Sequence, residues 1–187
     1  MSLVAIGSAN AERKAAAARE HPGARLLDSA EEVWRNRGDY DLAVISTPNR
    51  FHAPLALAAM GAGIAVVIDK PMATSAAEAR GLLDESRRTN VPLTVYQNRR
   101  WDGDFLTVQR LIADGVLGQI VRFESRFDRW RPAAQAVWRE RAEPEEGGGL
   151  LFDLGSHLVD QALRLFGPVR QVYAEVDRRR PGVVVDD

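Results

Sequence analysis

Apolar positions fall in short runs separated by amphipathic stretches. Leu3-Val-Ala-Ile6, Arg25-Leu-Leu27, Leu42-Ala-Val-Ile45, Ile64-Ala-Val-Val-Ile68 and Leu93-Thr-Val-Tyr96 read as strands. Between them the pattern turns helical: residues 11–20, a helix opened by the capping box Ser29-Ala-Glu-Glu32, the alanine-rich stretch 52–62, and a helix from Ser75-Ala-Ala-Glu78 to about Arg88. Continuous apolar runs alternating with helices at this spacing predict parallel strands and a doubly wound α/β sheet. After a helix over about 105–114 the rhythm changes. Residues 118–129 alternate as an antiparallel strand with one covered face would, 147–165 are a glycine run leading into a helix, and 169–176 read as another strand. The predicted division is 1–118 as a Rossmann-like domain and 119–187 as part of an α+β domain with an open antiparallel sheet.

Composition narrows the classes. The 187 residues carry 25 basic and 26 acidic side chains, a net charge of -1, which excludes a nucleic-acid footprint and a polybasic membrane signal. No cysteine is present, so disulfides, thiolate metal sites and a cysteine nucleophile are excluded. No apolar run approaches the roughly 18 to 20 residues of a membrane helix, and the start lacks a basic n-region. A cytoplasmic protein is expected.

Two stretches carry the candidate chemistry. Asp69-Lys70-Pro71 follows the 64–68 strand, and in a parallel sheet ligands bind at the carboxyl ends of strands. In Gly147-Gly-Gly-Leu-Leu-Phe-Asp153-Leu-Gly-Ser-His157-Leu-Val-Asp160, Asp153 and His157 lie four apart and share a helix face. Lysine, carboxylate and imidazole around one cleft form a proton-handling set. The bland alternatives are a surface lysine ending a strand and a solvated Asp–His pair. With three histidines in the chain and His21 in a turn beside Pro22, a metal site is not expected.

The strand–glycine-loop–helix that cradles a pyrophosphate is not found. Gly61-Ala-Gly63 follows a helix and precedes a strand, so it reads as a helix stop and turn. Residues 3–6 then read as the second strand of a dinucleotide-binding fold, with the first strand and its loop absent. The second strand ends in Gly7-Ser8-Ala9-Asn10, without a carboxylate and with Arg13 and Lys14 close behind, a pattern leaning to NADP over NAD.

Ser46-Thr-Pro-Asn-Arg-Phe-His52, Asp69-Lys-Pro71 and 147–160 resemble, in order and spacing, the glucose–fructose oxidoreductase, inositol dehydrogenase and rhizopine catabolism (Gfo/Idh/MocA) superfamily. Asn98-Arg-Arg-Trp-Asp-Gly-Asp-Phe-Leu-Thr107, Phe127-Asp-Arg-Trp-Arg-Pro132, Trp138-Arg-Glu140 and His157-Leu-Val-Asp-Gln161 are similar to its NADP-dependent scyllo-inositol dehydrogenase branch. The resemblance covers essentially the whole chain. One departure is Asp69, where the family usually has glutamate.

The resemblance implies hydride transfer between NADP (or NAD) and a secondary hydroxyl of an inositol, sugar or related polyol. It implies Lys70, Asp153 and His157 as catalytic, with His157 the general base. Ser8, Thr47, Pro48, Asn49, His52, Asp69, Lys70 and Asn98 would line the cofactor, and Arg99, Trp101, Asp153 and His157 the substrate. Trp138-Arg139 would close over the cofactor, and Trp101 reads equally well as an interdomain core residue. Self-association would use the C-terminal sheet. Against this family frame the chain looks cut short at both ends. Two rival functions stand beside the first: a non-catalytic fragment or interaction module, and a glycosidase that uses NAD transiently.

Overall fold

The computed structural model describes residues 1–134 and 137–187. Among these residues five strands form, β1 (Ala5–Gly7), β2 (Arg25–Leu27), β3 (Leu42–Ile45), β4 (Ala65–Asp69) and β5 (Leu93–Tyr96). The helices are α1 (Ala11–Glu20), α2 (Ala30–Arg35), α3 (His52–Gly61), α4 (Ala76–Thr89), α5 (Gly103–Ala113) and α6 (Ser156–Phe166). The starts of α1, α2 and α4 follow the capping chemistry. Asn10 Oδ1 accepts from the Arg13 amide at 2.8 Å, Glu32 reaches back to the Ser29 amide at 3.1 Å, and Ser75 Oγ accepts from the Glu78 amide at 3.1 Å. Helix α4 ends on Asn90, which takes the left-handed conformation at φ 54° that asparagine tolerates.

Every ladder is parallel, as the α/β reading requires, but the strands divide into two sheets, β1–β2 and β3–β4–β5. The core sits on one face of the three-stranded sheet. There Ile45, Val66 and Ile68 pack against Ala53, Ala56, Ala59 and Met60 of α3 and Leu82 of α4. Alanines on α3 let its backbone lie close to the strands, and each large buried apolar side chain contributes about 1.5–3 kcal/mol. On the opposite face Val44 is 63% and Tyr96 57% exposed, so the two-sided helical cover expected of a doubly wound sheet is realised on one side.

Beyond α5 the expected antiparallel sheet is not formed by the described residues. Residues 119–131 and 169–176 have no strand ladder, and Val121, Trp130, Val172 and Tyr173 are exposed. Alternation marks a segment suited to a sheet, but a ladder also needs a partner strand, and these two segments do not pair with each other. The chain then forms a π-helical turn, Leu151–Gly155, continuous with α6.

Candidate active site

The register of the three-stranded sheet assembles the site. Ile45 is level with Ile68 and Ile68 with Val95, so the segments leaving β3, β4 and β5 emerge along one carboxyl edge. They carry Thr47, Lys70 and Gln97. Asp69 Oδ1 accepts from the Lys70 amide at 2.8 Å, a local bond that the shorter aspartate makes at the strand end.

Lys70 reaches across to the π-helical turn. Its Nζ donates to the Asp153 carbonyl at 2.5 Å and to Asp153 Oδ1 at 3.0 Å, with the lysine side chain 12% exposed. Arg139 Nε approaches the same oxygen at 3.3 Å. Burial pushes the Asp153 carboxyl up, but the bonded Lys70 ammonium, helped by Arg139 and His157, outweighs this and holds it below its ordinary range. The carboxylate thus turns toward the two cations rather than orienting the imidazole, because opposite charge outbids a neutral ring.

His157 is buried on α6, and Phe127 meets its ring edge-on at 6.5 Å between centroids. Burial, then the nearby Lys70 and Arg99 charges, pull its pKa below the ordinary value, with Asp153 and Asp69 opposing. Arg99 stacks over Phe127 at 4.8 Å, pairs with Asp102 at 2.8 Å, and its carbonyl accepts from Gln161 Nε2 at 3.0 Å. Arg100 grips Asp160 through two bonds of 2.8 and 2.6 Å. These ties dock the start of α6 on the loop after β5, which brings His157 to the sheet edge.

Four buried polar atoms here make no hydrogen bond to the protein: Thr47 Oγ1, Gln97 Oε1, Arg99 Nε and His157 Nδ1. Such atoms are rare in native folds and call for a partner. Three belong to residues just past the carboxyl ends of strands, and the fourth is the candidate base.

Other residues expected at the site are used differently. His52 is buried with both ring nitrogens engaged, Nδ1 to the Pro71 carbonyl at 2.8 Å and Nε2 to the Thr47 carbonyl at 2.9 Å. It ties the loop after β3 to the one after β4 and leaves no ring nitrogen for a ligand. Asn49, the first residue of the turn that Pro48 opens, spends its amide on the Gly147 carbonyl at 2.7 Å. Ser8 lies past β1, on the other sheet, where its hydroxyl accepts from the Asn10 amide at 3.2 Å. Asn98 and Trp101 sit in the turn after β5, and Trp101 is 73% exposed, so it is not an interdomain core residue.

The glycine run is a joint between segments. A Cβ on Gly147 would crowd Asn49, one on Gly148 would meet the Ala142 carbonyl, and one on Gly149 would enter the Asp186 carboxylate. Asp186 and Gln97 drew no attention in the sequence. The acidic pair Asp186-Asp187 was the only signal for the former. Among the described residues no group of three His, Cys, Asp or Glu side chains is placed to hold a metal ion, and no helix is long and apolar enough to cross a membrane.

Comparison with known proteins gives the family. Residues 1–97 match the oxidoreductase family with an NAD-binding Rossmann fold, and 105–187 match the GFO/IDH/MocA C-terminal domain. The chain belongs to the GFO/IDH/MocA oxidoreductase family. It is 41% identical over 184 residues to the oxidoreductase YdgJ of Escherichia coli, spanning 98% of this chain and 52% of that one. It is 40% identical over 162 residues to the scyllo-inositol 2-dehydrogenase (NADP(+)) IolW of Bacillus subtilis, spanning 87% of this chain and 44% of the relative. Among solved structures, the Bacillus subtilis oxidoreductase YvaA superposes with a TM-score of 0.88 at 34% identity, over all of this chain and 51% of that one. The WlbA dehydrogenase of Bordetella pertussis, solved with NADH and UDP-GlcNAcA, gives 0.82 at 30% identity, over all of this chain and 58% of that one. The chain therefore spans about half the length of the relatives it matches.

Proposed function

We propose that this chain carries the catalytic edge of an NADP-dependent dehydrogenase acting on a secondary hydroxyl of an inositol or related polyol. The observation that carries the reading is the bond from Lys70 Nζ to Asp153, across 83 positions of sequence, beside a buried His157 whose Nδ1 has no protein partner. The unpartnered set offers both donors and acceptors at a sheet edge, which fits a nicotinamide and a polyhydroxylated substrate side by side. A bound nicotinamide supplies the hydride acceptor.

The remaining work falls to the side chains. Lys70 holds the reacting hydroxyl oxygen and stabilises negative charge as it develops there. His157, kept neutral by its surroundings, takes the hydroxyl proton. Asp153 anchors the Lys70 ammonium and accepts from a second hydroxyl. Thr47, Gln97 and Asn98 border the cofactor, and Arg99 the substrate.

For the 2′ position, the absence of a carboxylate past β1 supports NADP. Lys14, paired with Asp28, and Arg13 both lie in the first turn of α1, and these two cations after β1 favour a 2′-phosphate. The IolW relative, named for NADP and scyllo-inositol, supports the same choice. The test is titration of the 187-residue chain with NADPH and NADH, followed through nicotinamide fluorescence, and then a panel of inositols and sugars. Saturable binding with NADPH preferred, and turnover of a polyol, is expected. Tighter binding of NADH would refute the cofactor choice, and cleavage of aryl glycosides without polyol oxidation would refute the reaction.

A further inference from the structure

The helical segment bearing Asp153 and His157 has no capping side chain of its own. Leu150 precedes its first turn and no hydroxyl or carboxylate lies there to meet its amides. The amides are met from distant parts of the chain instead. Gly149 N donates to the Arg139 carbonyl at 2.9 Å, Leu150 N to the Asp186 carbonyl at 3.2 Å, and Leu151 N to Asp186 Oδ2 at 2.6 Å.

Asp186 is itself held. Val185 before it is buried, and Asp187 after it accepts from the Arg179 and Arg180 amides at 2.5 and 2.9 Å and pairs with Arg180 Nε at 2.7 Å. Gly149, at φ +91°, leaves the space that the Asp186 carboxylate fills. A carboxylate at the positive end of a helical segment is also favoured by the peptide dipoles.

We propose that Asp186 is a positioning residue. By accepting from the Leu150 and Leu151 amides it fixes where the π-helical turn begins, and Asp153 N, bonded to the Gly149 carbonyl at 3.1 Å, follows from that start. Asp153 is thereby set against Lys70, and His157 is carried to the buried place where Lys70, Arg99, Asp153 and Asp69 face it. Asp186 acts through the helix and touches neither substrate nor cofactor. The inference rests on the assignment of Asp153 and His157 above.

The test compares Asp186→Ala, Asp186→Asn and a remote control, Asp28→Asn, in the full chain. Amide hydrogen exchange is followed over 150–157, with α4 as internal reference, and the His157 ring is titrated by NMR. Loss of the cap in Asp186→Ala should speed exchange over 150–157 by about 2- to 30-fold and leave α4 unchanged. As the helix start loosens and the ring gains water, the His157 midpoint should rise toward that of an ordinary histidine. Asparagine keeps an acceptor of the same reach and should restore both readouts. Unchanged exchange in Asp186→Ala would overturn the proposal. So would faster exchange with an unmoved His157, which would make the cap merely structural, or an asparagine variant as perturbed as alanine. Neither readout needs turnover, so a chain that passes these tests and oxidises no polyol would sink the proposed function alone.

Discussion

Replacing Lys70 with methionine keeps the length of the side chain and removes its ammonium, which isolates what the charge does. At 3.0 Å and an effective dielectric near 20, the gross attraction between Lys70 and Asp153 is about 5–6 kcal/mol. Desolvation of the two largely buried side chains offsets most of it. In the variant Asp153 keeps only the 3.3 Å approach of Arg139, itself half exposed. The expected cost is about 1–3 kcal/mol, that of a polar group left short of a partner. For a chain of this size that is a fall in Tm of about 2–12 °C. The sign with pH follows from the depressed Asp153 carboxyl, whose ordinary value is 3.8. A group lowered in the folded state stabilises above its unfolded value and loses that contribution as pH falls through its folded value. The deficit of Lys70→Met should therefore be full at pH 7 and shrink below about pH 4. Urea unfolding followed by circular dichroism from pH 7 to 3 measures it. Equal stability at pH 7, or a deficit that grows as pH falls, would show that the ion pair does not hold the two segments together.

Three further outcomes follow from the geometry. The His157 pKa is lowered from 6.5, so its ring should titrate below that value in an NMR series, and its neutral form should support folding above pH 6.5 and lose that support as pH falls through the lowered value; a midpoint at or above 6.5 contradicts the burial seen. His52→Leu leaves the part-buried Pro71 and Thr47 carbonyls without their imidazole partner and should cost about 1–3 kcal/mol in chemical denaturation, whereas a cost under about 0.5 kcal/mol would mean these contacts hold nothing. Gly149→Ala forces both a positive φ and a collision with Asp186, and should cost about 1–3 kcal/mol or more, while Gly7→Ala, with open space around it, should change stability by about 0.5 kcal/mol or less; equal effects would remove the glycine joint from the account.

What the sequence made legible is what local chemistry controls. The apolar runs placed the five strands of the described residues to within a residue or two, and Ser29 and Ser75 announced their helices, because period and capping are written within a few residues. The division of the strands into two sheets, β1–β2 and β3–β4–β5, was not legible, because an apolar run marks a strand but not its neighbour. Among the described residues 119–131 and 169–176 form no ladder, because alternation at Val121 or Val172 records suitability for pairing, while pairing depends on a partner elsewhere. Lys70, Asp153 and His157 were found together by resemblance and by spacing, yet the partner of Asp153 was not. Helical proximity pointed to His157, and the stronger tie came from Lys70, far away in sequence. The same limit hid Asp186 and turned His52 and Asn49 from presumed ligand contacts into ties between loops. Long-range bonds leave no local signature.

The central claim is that Lys70 and His157 handle the proton and the oxygen of a polyol hydroxyl at one sheet edge. Its most direct test is the initial rate of NADPH formation from scyllo-inositol and related polyols, in the chain and in the double variant Lys70→Met, His157→Ala. Removing a positioned acid–base pair should lower the rate by about 10²–10⁴-fold, with NADPH binding measured alongside to separate chemistry from affinity. A double variant as fast as the unaltered chain would contradict the account.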